Sequence, residues 1–239
     1  MLVNLPATLL FDLIESVKPI NSECIVIIEP EQVSVTVVDE AKVAIVQSIV
    51  PRSLCSALEV EEPVKFGILI GKVLDMISGY EGTATISGED AVITFADSAH
   101  RLLYRAVDPS TMDKVPTVPA ITYNSFVTVN GKNMYNEVMT ASKTTTFTKL
   151  QNYPSLEKCM ISTIEGQDTY IADFTSARNY SGEDADVMIS AEYLKDIMKI
   201  LKDIADINLL LKTDTPVKIK ATTPEGLQIL YMIAPRIEQ

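Results

Sequence analysis

The chain has 239 residues, 47 % of them hydrophobic, and a formal net charge of −12 at pH 7. This length suits one large or two small domains, and the acidic total opposes non-specific binding of nucleic acid by the surface as a whole. The three cysteines, Cys24, Cys55 and Cys159, are far apart in the sequence. They argue against a zinc cluster or a disulfide framework and favour free thiols in a reducing compartment. No apolar run approaches the ~18 residues that a membrane-spanning helix needs, and no basic segment indicates a secretory signal.

The first part of the chain predicts two helices and a series of short strands. Apolar residues at helical spacing predict a helix over residues 5–20, which Pro19 ends. A second helix is predicted over residues 70–80, ending near Gly79. Gly88-Glu89-Asp90 is typical of a hairpin turn. Strands are predicted at residues 23–29, 32–38, 43–50, 64–69, 83–87, 91–96 and 100–107.

Residues 108–123, DPSTMDKVPTVPAITY, have neither a helical nor an alternating pattern. Their three prolines, Pro109, Pro116 and Pro119, fix the backbone and favour extended neighbours. We expect an extended strap that lies on the surface and joins two similar halves. The predicted domains are therefore residues 1–107 and 124–239, with 108–123 as the connecting loop.

The second half repeats the order of the first. Helices are predicted at residues 133–143 and 191–204, and strands at 125–129, 145–153, 157–164, 169–175, 186–190, 208–212, 217–221 and 227–234. Each half reads as strand, helix, strands, helix, hairpin and strand. The sequence therefore predicts an α+β protein of two similar domains, each with antiparallel sheets and two helices.

Catalytic patterns are missing from the sequence. His100 is the one histidine, and no glycine-rich phosphate loop is present. The acidic residues Glu183, Asp184 and Asp186 could bind a divalent metal in an acidic hydrolase or nuclease, which is our alternative hypothesis. Their spacing is unlike that of a calcium-binding loop, so a solvated loop is the simpler interpretation. We expect no enzyme, no cofactor and no metal.

The last predicted helix carries a basic stripe. Lys195, Lys199 and Lys202 are spaced i, i+4 and i+7, which places them on one helix face. The stripe is either an ordinary solvated face or a surface that contacts phosphates without reading base sequence.

Three segments and the strap resemble one known family. Residues 230–238, LYMIAPRIE, are similar to the closing segment of the sliding clamps of archaea and eukaryotes, the proliferating cell nuclear antigen (PCNA) family. Residues 38–46, VDEAKVAIV, resemble one wall of that family's partner pocket, and residues 191–199 resemble the last helix of archaeal clamps. The strap corresponds to the family's interdomain connecting loop. The order of elements matches over essentially the whole chain.

The resemblance implies a binding and scaffolding protein, a processivity factor for DNA replication and repair. Three subunits would close a ring around duplex DNA, with helices lining the hole and sheets outside. The closed ring, rather than a high affinity, would keep the protein on the DNA. Distinct chains in one ring, or a checkpoint-type clamp, are variants of this hypothesis. The resemblance places the protein in the cytoplasm of a prokaryotic cell, or in the nucleus if it is eukaryotic.

The resemblance also implies a basic inner surface. Lys72 and Lys199 match basic family positions, and the helix faces add Lys143, Lys195 and Lys202. Asn136 and Met139 depart from the pattern, because eukaryotic clamps carry arginines there.

Ring closure in this family pairs two edge strands of neighbouring subunits. The matching segments here are about residues 101–107 and 169–176; the alternative is that both strands are covered within one chain. The predicted interface residues are Arg101, Leu103, Arg105, Tyr170, Ala172 and Phe174.

A partner site is implied beneath the strap. DNA polymerase, flap nuclease, DNA ligase and the clamp loader would insert short peptide motifs there. Core packing is the alternative explanation for the apolar members of the site. The predicted site consists of Val38, Lys42, Val43, Ile45, Val115, Val118, Met232, Ile233, Ala234 and Pro235.

Overall fold

The computed structural model describes residues 1–89, 91–165 and 168–236. Asp90 of the predicted hairpin turn and the last two residues of the tail motif, Ile237 and Glu238, lie outside the described residues. The four α-helices of the described part are α1 (Ala7–Glu15), α2 (Ile70–Ile77), α3 (Gly131–Ala141) and α4 (Ala191–Leu201). No helix in those ranges is long and apolar enough to cross a membrane.

Strands make up most of the remaining regular structure. Those that precede the strap are β1 (Leu2–Pro6), β2 (Glu23–Glu29), β3 (Gln32–Val38), β4 (Ala44–Pro51), β5 (Ala57–Glu59), β6 (Val64–Leu69), β7 (Thr83–Glu89), β8 (Val92–Ala96) and β9 (Arg101–Arg105). Those that follow it are β10 (Ser125–Val129), β11 (Phe147–Tyr153), β12 (Lys158–Glu165), β13 (Asp168–Asp173), β14 (Arg178–Gly182), β15 (Ala185–Ser190), β16 (Ile207–Leu211), β17 (Val217–Thr222) and β18 (Gln228–Ile233).

The order of elements occurs twice. Within the described residues, each half reads as one strand, one helix, five strands, one helix and three strands. This confirms the predicted α+β class with two copies of one architecture. The predicted domain boundaries at residues 107/108 and 123/124 stay a prediction.

The N-terminal helix prediction was wrong at both ends. Residues 2–6 form β1, which pairs antiparallel with β7 and β5. Val3 and Leu5 are buried on one face of β1, a period-two pattern that a helical interpretation of the apolar residues overlooks. The helix itself ends at Glu15, before the turn that contains Pro19. The sequence analysis also missed β5, which has only three residues, and β14, which is mostly polar and exposed.

The chain forms two compact units. The first unit consists of Met1–Glu40, Val46–Val118 and Thr223–Ile229. It contains a five-stranded sheet in the order β5-β1-β7-β8-β9, and β4, β3, β2 and β6 are neighbours in a second sheet. Helices α1 and α2 contact each other, and their apolar faces supply core residues such as Leu10, Leu13 and Val73. Burial of these side chains stabilises the unit by about 1.5–3 kcal/mol each.

The second unit consists of Ala41–Ile45, Pro119–Thr222 and Leu230–Gln239. Its four-stranded sheet has the order β13-β12-β11-β15, and β14, β10, β16, β17 and β18 are neighbours in another sheet. Helices α3 and α4 pack on each other and on the four-stranded sheet. Asn130 and Ser190 cap them by accepting from the backbone N–H groups of Asn133 and Tyr193. Alternate residues of that sheet are therefore buried under helices, and the others face outward.

Candidate nucleic-acid and protein interfaces

The basic stripe on α4 exists in the structure. Lys199 and Lys202 are exposed and Lys195 is half-buried, whereas Leu194, Ile197 and Leu201 are buried on the opposite side. Lys199 Nζ donates a hydrogen bond of 2.7 Å to Asp196 Oδ1, and this contact raises the pKa of Lys199. The neighbouring carboxylate also offsets part of the lysine charge on this face. Asp203 is exposed at the end of the helix as well.

Two further predicted lysines lie on or beside helices α2 and α3. Lys72 is exposed on α2, and its Nζ lies 5.6 Å from the centroid of the Tyr104 ring. Lys143 is exposed but follows the end of α3. The sequence analysis missed Lys132, which is exposed in the first turn of α3. Asn136, one of the two departures from the basic pattern of eukaryotic clamps, is exposed on α3.

Helix α1 contrasts with α4. Its half-buried polar residues are Asp12 and Glu15, and it carries no lysine or arginine. Burial, together with the nearby Glu225 and Glu15, raises the pKa of Asp12 to about 6. The basic character of the four helices is therefore concentrated on α4, with single contributions from α2 and α3.

Strand β9 is an open sheet edge. It ends the order of the five-stranded sheet, and among the described residues no strand pairs with its outer side. Ala106 N donates to Ala91 O at 2.8 Å, so in this antiparallel ladder the backbone groups of Arg101, Leu103 and Arg105 point away from β8. The Leu103 side chain is 64 % exposed. Both arginines are exposed, and neither pairs with a carboxylate within the described ranges.

Strand β13 is an open edge of the second unit's four-stranded sheet. Phe174 N donates to Cys159 O at 2.8 Å, so the backbone groups that point away from β12 belong to Thr169, Ile171 and Asp173. These three residues are exposed, and Ile171 is 62 % exposed.

The predicted β13 residues are the alternate set. Tyr170 OH donates a 2.6 Å hydrogen bond to Glu137 Oε2 of α3, and Ala172 lies on the same face. Phe174 is only 2 % exposed, so the structure places it in the core rather than at the open edge. Side chains alternate between the two faces of a strand. The sequence shows this alternation, but only the pairing with β12 shows that Thr169, Ile171 and Asp173 have the outward-pointing backbone groups.

The predicted partner residues of the first unit are partly brought together. Val38 and Val115 line one small concavity of about 30 Å³, together with Cys24 of β2 and Met112 of the strap. Val118 is half-buried further along the strap and does not line this concavity. The strap begins at a bridge in which Gly67 and Val107 exchange two backbone hydrogen bonds of 3.0 Å.

The predicted partner residues of the second unit divide into core and surface. Met232 and Ile233 are buried in β18, and Ile45 is buried in β4. Lys42 is exposed, and Val43, Ala234 and Pro235 are half-buried. Ala234 N donates to Val43 O at 2.7 Å, so the predicted tail and the predicted wall are adjacent.

The acidic residues of the alternative hypothesis have separate contacts. Glu183 Oε2 accepts from Asn124 Nδ2 at 2.6 Å, whereas Asp186 Oδ1 accepts from Tyr153 OH at 2.8 Å. Asp184 is exposed. Among the residues that the structure describes, no group of three histidine, cysteine or acidic side chains is placed to hold a metal ion. Nothing in this loop therefore favours metal-dependent hydrolysis.

Comparison with known proteins identifies the architecture. No protein-family model matches the chain. The chain is 27 % identical to the DNA polymerase sliding clamp of Methanosarcina mazei, with 97 % of this chain and 96 % of the relative covered. The clamp of Natronomonas pharaonis is 24 % identical, with 94 % of each chain covered.

Solved structures show the same fold. The A. fulgidus PCNA bound to the C-terminal region of FEN-1 superposes with a TM-score of 0.91 at 19 % identity, covering 100 % of this chain and 99 % of that one. A PCNA2–PCNA3 complex from Sulfolobus tokodaii superposes with a TM-score of 0.83 at 13 % identity, covering 100 % of each chain. The predicted clamp fold and the resemblance to archaeal sliding clamps are therefore confirmed.

Proposed function

We infer that this chain, which is similar to archaeal sliding clamps over nearly its whole length, is a subunit of a DNA sliding clamp. The observation that carries the proposal is the pair of open edge strands, β9 and β13, one in each unit. An unpaired strand is a template for another chain, and head-to-tail pairing that closes produces a ring. A clamp has no catalytic step, so its function is to encircle duplex DNA and tether other proteins.

The exposed residues of the two strands suggest a register. Residues whose backbone groups point outward must pair with each other. If Leu103 lies opposite Ile171 of the next subunit, Arg101 lies opposite Asp173 and Arg105 opposite Thr169. This register joins the two exposed apolar side chains and places opposite charges across from each other, which contributes roughly 0.2–1 kcal/mol per pair. The proposed interface on β13 therefore consists of Thr169, Ile171 and Asp173 in place of the alternate residues.

The proposed DNA surface consists of Lys72, Lys143, Lys195, Lys199 and Lys202. Their contacts to phosphates would be weak and independent of base sequence, so a closed ring could slide. The net charge of −12 agrees with this proposal if the remaining surface repels DNA. A clamp would act where the chromosome is, which for archaeal relatives is the cytoplasm.

The proposed partner residues are the predicted ones that are accessible. In the first unit they are Val38, Val115 and Val118, and in the second unit they are Lys42, Val43, Ala234 and Pro235. The A. fulgidus relative was solved with the C-terminal region of FEN-1, which is why we propose flap nuclease as one partner. Polymerase, ligase and a clamp loader would bind through similar short segments. Met232, Ile233 and Ile45 support the partner residues of the second unit from the core.

The first test is the solution mass of the purified chain, measured by light scattering on a sizing column. We expect three times the chain mass. Leu103→Lys should reduce it to that of a monomer, because a charge would be buried in the strand pairing. Leu156→Lys is a matched control, because Leu156 is 65 % exposed but lies in a 3₁₀ turn outside the edge strands.

A monomeric wild type would reject the ring of identical chains. The second candidate would then be a subunit of a ring built from distinct chains. The S. tokodaii complex, which contains two different clamp chains, is the observation that favours this candidate. Mixing the chain with other clamp chains of its source organism would then restore the trimer mass. A monomer in both experiments would contradict the clamp proposal.

A further inference from the structure

The outward face of the second unit's four-stranded sheet is concave. Helices α3 and α4 cover the other face, where Leu150, Ile161 and Val187 are buried. The outward residues enclose a groove of about 680 Å³. Phe147, Lys149, Gln151 and Tyr153 of β11, Met160 and Ser162 of β12, Met188 of β15, and Arg236 are among the residues that line this outer-sheet groove.

One end of the outer-sheet groove is apolar, and the Arg236 guanidinium lies over it. The Arg236 guanidinium lies 3.9 Å from the centroid of the Phe147 ring, and Arg236 N donates to Met188 O at 2.8 Å. Cation–π stacking and this backbone hydrogen bond hold Arg236 at the rim. Met160 and Met188 are half-buried, and methionine side chains adapt readily to different apolar ligands. This end therefore suits a large aliphatic or aromatic side chain.

The other end of the outer-sheet groove is polar and already ordered. Ser162 Oγ donates to Gln151 Oε1 at 2.7 Å, and Gln151 Nε2 donates to Tyr153 OH at 2.7 Å. Tyr153 OH in turn donates to Asp186 Oδ1 at 2.8 Å. This chain of hydrogen bonds spans three neighbouring strands and fixes its side chains before any ligand binds. A ligand would therefore lose less side-chain entropy on binding here.

The charged side chains that line the outer-sheet groove directly are both basic, and the Asp186 carboxylate lies behind Tyr153 at the polar end. Lys149 and Arg236 are the charged side chains among its described lining residues, and neither forms an ion pair within the described ranges. Two cations therefore lie beside an apolar floor. This charge complements an acidic ligand.

We propose that the outer-sheet groove binds an extended acidic peptide segment of another protein, anchored by one large apolar side chain. The apolar side chain would lie on Met160 and Met188, with the carboxylates of the peptide near Lys149 and Arg236. A peptide fits better than a nucleic-acid strand, because Arg236 already covers the aromatic ring on which a base would stack. The groove lies within one subunit, and its rim on β13 includes Thr169 and Ile171, which the proposed ring contact also uses. Lys149 and Arg236, which would hold the peptide, lie on other elements.

The probe is a short fluorescein-labelled peptide of Asp and Glu residues with one central Phe, measured by fluorescence anisotropy with the full chain. We expect saturable binding, and weaker binding by about tenfold or more for K149E and for R236E. Lys220→Glu is the charge-matched control, because Lys220 is exposed on β17 outside the groove. A peptide with Lys in place of the acids, or with Ser in place of Phe, should not bind.

Methyl NMR of methionine-labelled chain locates the site. The Met160 and Met188 signals should shift with the acidic peptide, whereas the core Met134 signal should not. Unchanged signals for Met160 and Met188, or equal binding by K149E and wild type, would overturn the proposal. Displacement of the peptide by a single-stranded oligonucleotide at equal concentration would instead assign the groove to nucleic acid and also reject it. Monomeric Leu103→Lys should still bind the peptide, which separates this proposal from the ring.

Discussion

At the residue scale, Asp12 on α1 is held in an unfavourable environment. It is half-buried, and Glu225 and Glu15 add negative potential, so its pKa rises from 3.8 to about 6. The folded state therefore binds this proton more tightly than the unfolded state does. Asp12 should cost stability progressively as the pH rises from about 4 to about 6, and the cost should remain above that range.

Asp12→Asn removes the charge and keeps the size of the side chain. We expect it to raise the free energy of unfolding by roughly 1 kcal/mol at neutral pH, after allowance for solvent screening of a half-exposed group, and to change it little near pH 4. Urea unfolding at both pH values measures this. The control is Asp75→Asn, an exposed position on α2, which should show no such pH-dependent gain. An equal gain at both pH values would contradict the proposed role of ionisation.

Gly67 on β6 is the second residue with a specific structural requirement. A Cβ atom there would lie 2.8 Å from Val107 O and would collide with Met112 Sδ at the start of the strap. No larger side chain fits while the strap keeps this contact, because backbone and sulfur atoms would both have to move. Gly67 therefore secures the point where the strap leaves the first unit.

Gly67→Ala should lower the free energy of unfolding by about 1–3 kcal/mol, the usual cost of overpacking. We also expect faster tryptic cleavage at the exposed Lys114, because displacement of Met112 loosens the strap. Gly71→Ala is the control: it lies inside α2 with nothing within 4 Å of the added Cβ, so it should stabilise the protein by up to about 1 kcal/mol. Wild-type cleavage and stability in Gly67→Ala would show that the strap is anchored elsewhere.

At the scale of elements, the two open strands differ in charge. Strand β9 presents Arg101 and Arg105 from its outward-facing backbone positions, and β13 presents Asp173. Each strand also has one exposed aliphatic residue at its centre. Opposite charges around an apolar pair select a partner strand and a register, and they disfavour pairing of β9 with itself.

A charge exchange tests that register. Arg101→Asp should weaken trimer formation because Asp173 of the neighbour would face a like charge, at a cost of about 1 kcal/mol per contact. Asp173→Arg should do the same by facing Arg101. The double variant should recover the wild-type trimer in sedimentation velocity at low micromolar concentration. Failure of the double variant to recover, with both single variants impaired, would indicate another register.

At the scale of the whole molecule, an acidic protein is proposed to surround an acidic polymer. Most of the surface would repel DNA, and the basic residues of α4 would face the phosphates. Asp196 offsets part of the Lys199 charge, and the carboxylates of α1 lower the positive charge of the helices further. The affinity of an open chain for DNA should accordingly be low, and retention should depend on closure of the ring.

Replacing Lys195, Lys199 and Lys202 together by alanine separates affinity from topology. On short linear duplexes we expect weaker binding and a log–log salt slope that is smaller by about one for each phosphate that the variant no longer neutralises. On closed circles around which rings have assembled, the variant should remain bound as the wild type does and leave after the circle is cut. The charge-neutral control is Thr140→Ala, at an exposed position on α3. Release of the variant from intact circles would contradict retention by topology.

Much of the architecture follows from the amino-acid sequence alone. The helical spacing of α2 and α4 and the alternation of the strands are visible in the side-chain patterns, because burial on one face imposes those periods locally. The repeat of the element order predicts two similar domains, and the resemblance of the tail segment to sliding clamps implies the clamp fold. The lysines of α4 are identified in the same way, since i, i+4 and i+7 spacing places them on one face.

Whether an individual residue is buried or exposed to a partner depends instead on tertiary contacts. Phe174 and Ile171 look equivalent on a strand, but pairing with β12 buries the first and opens the second. Strand β1 was overlooked because it directly precedes a helix, and pairing with β7 and β5 is what makes Val3 and Leu5 the buried face of a strand. The outer-sheet groove joins residues from separate strands and the tail, including Phe147, Met188 and Arg236. Such contacts arise from long-range strand pairing, and no local pattern in the chain specifies them.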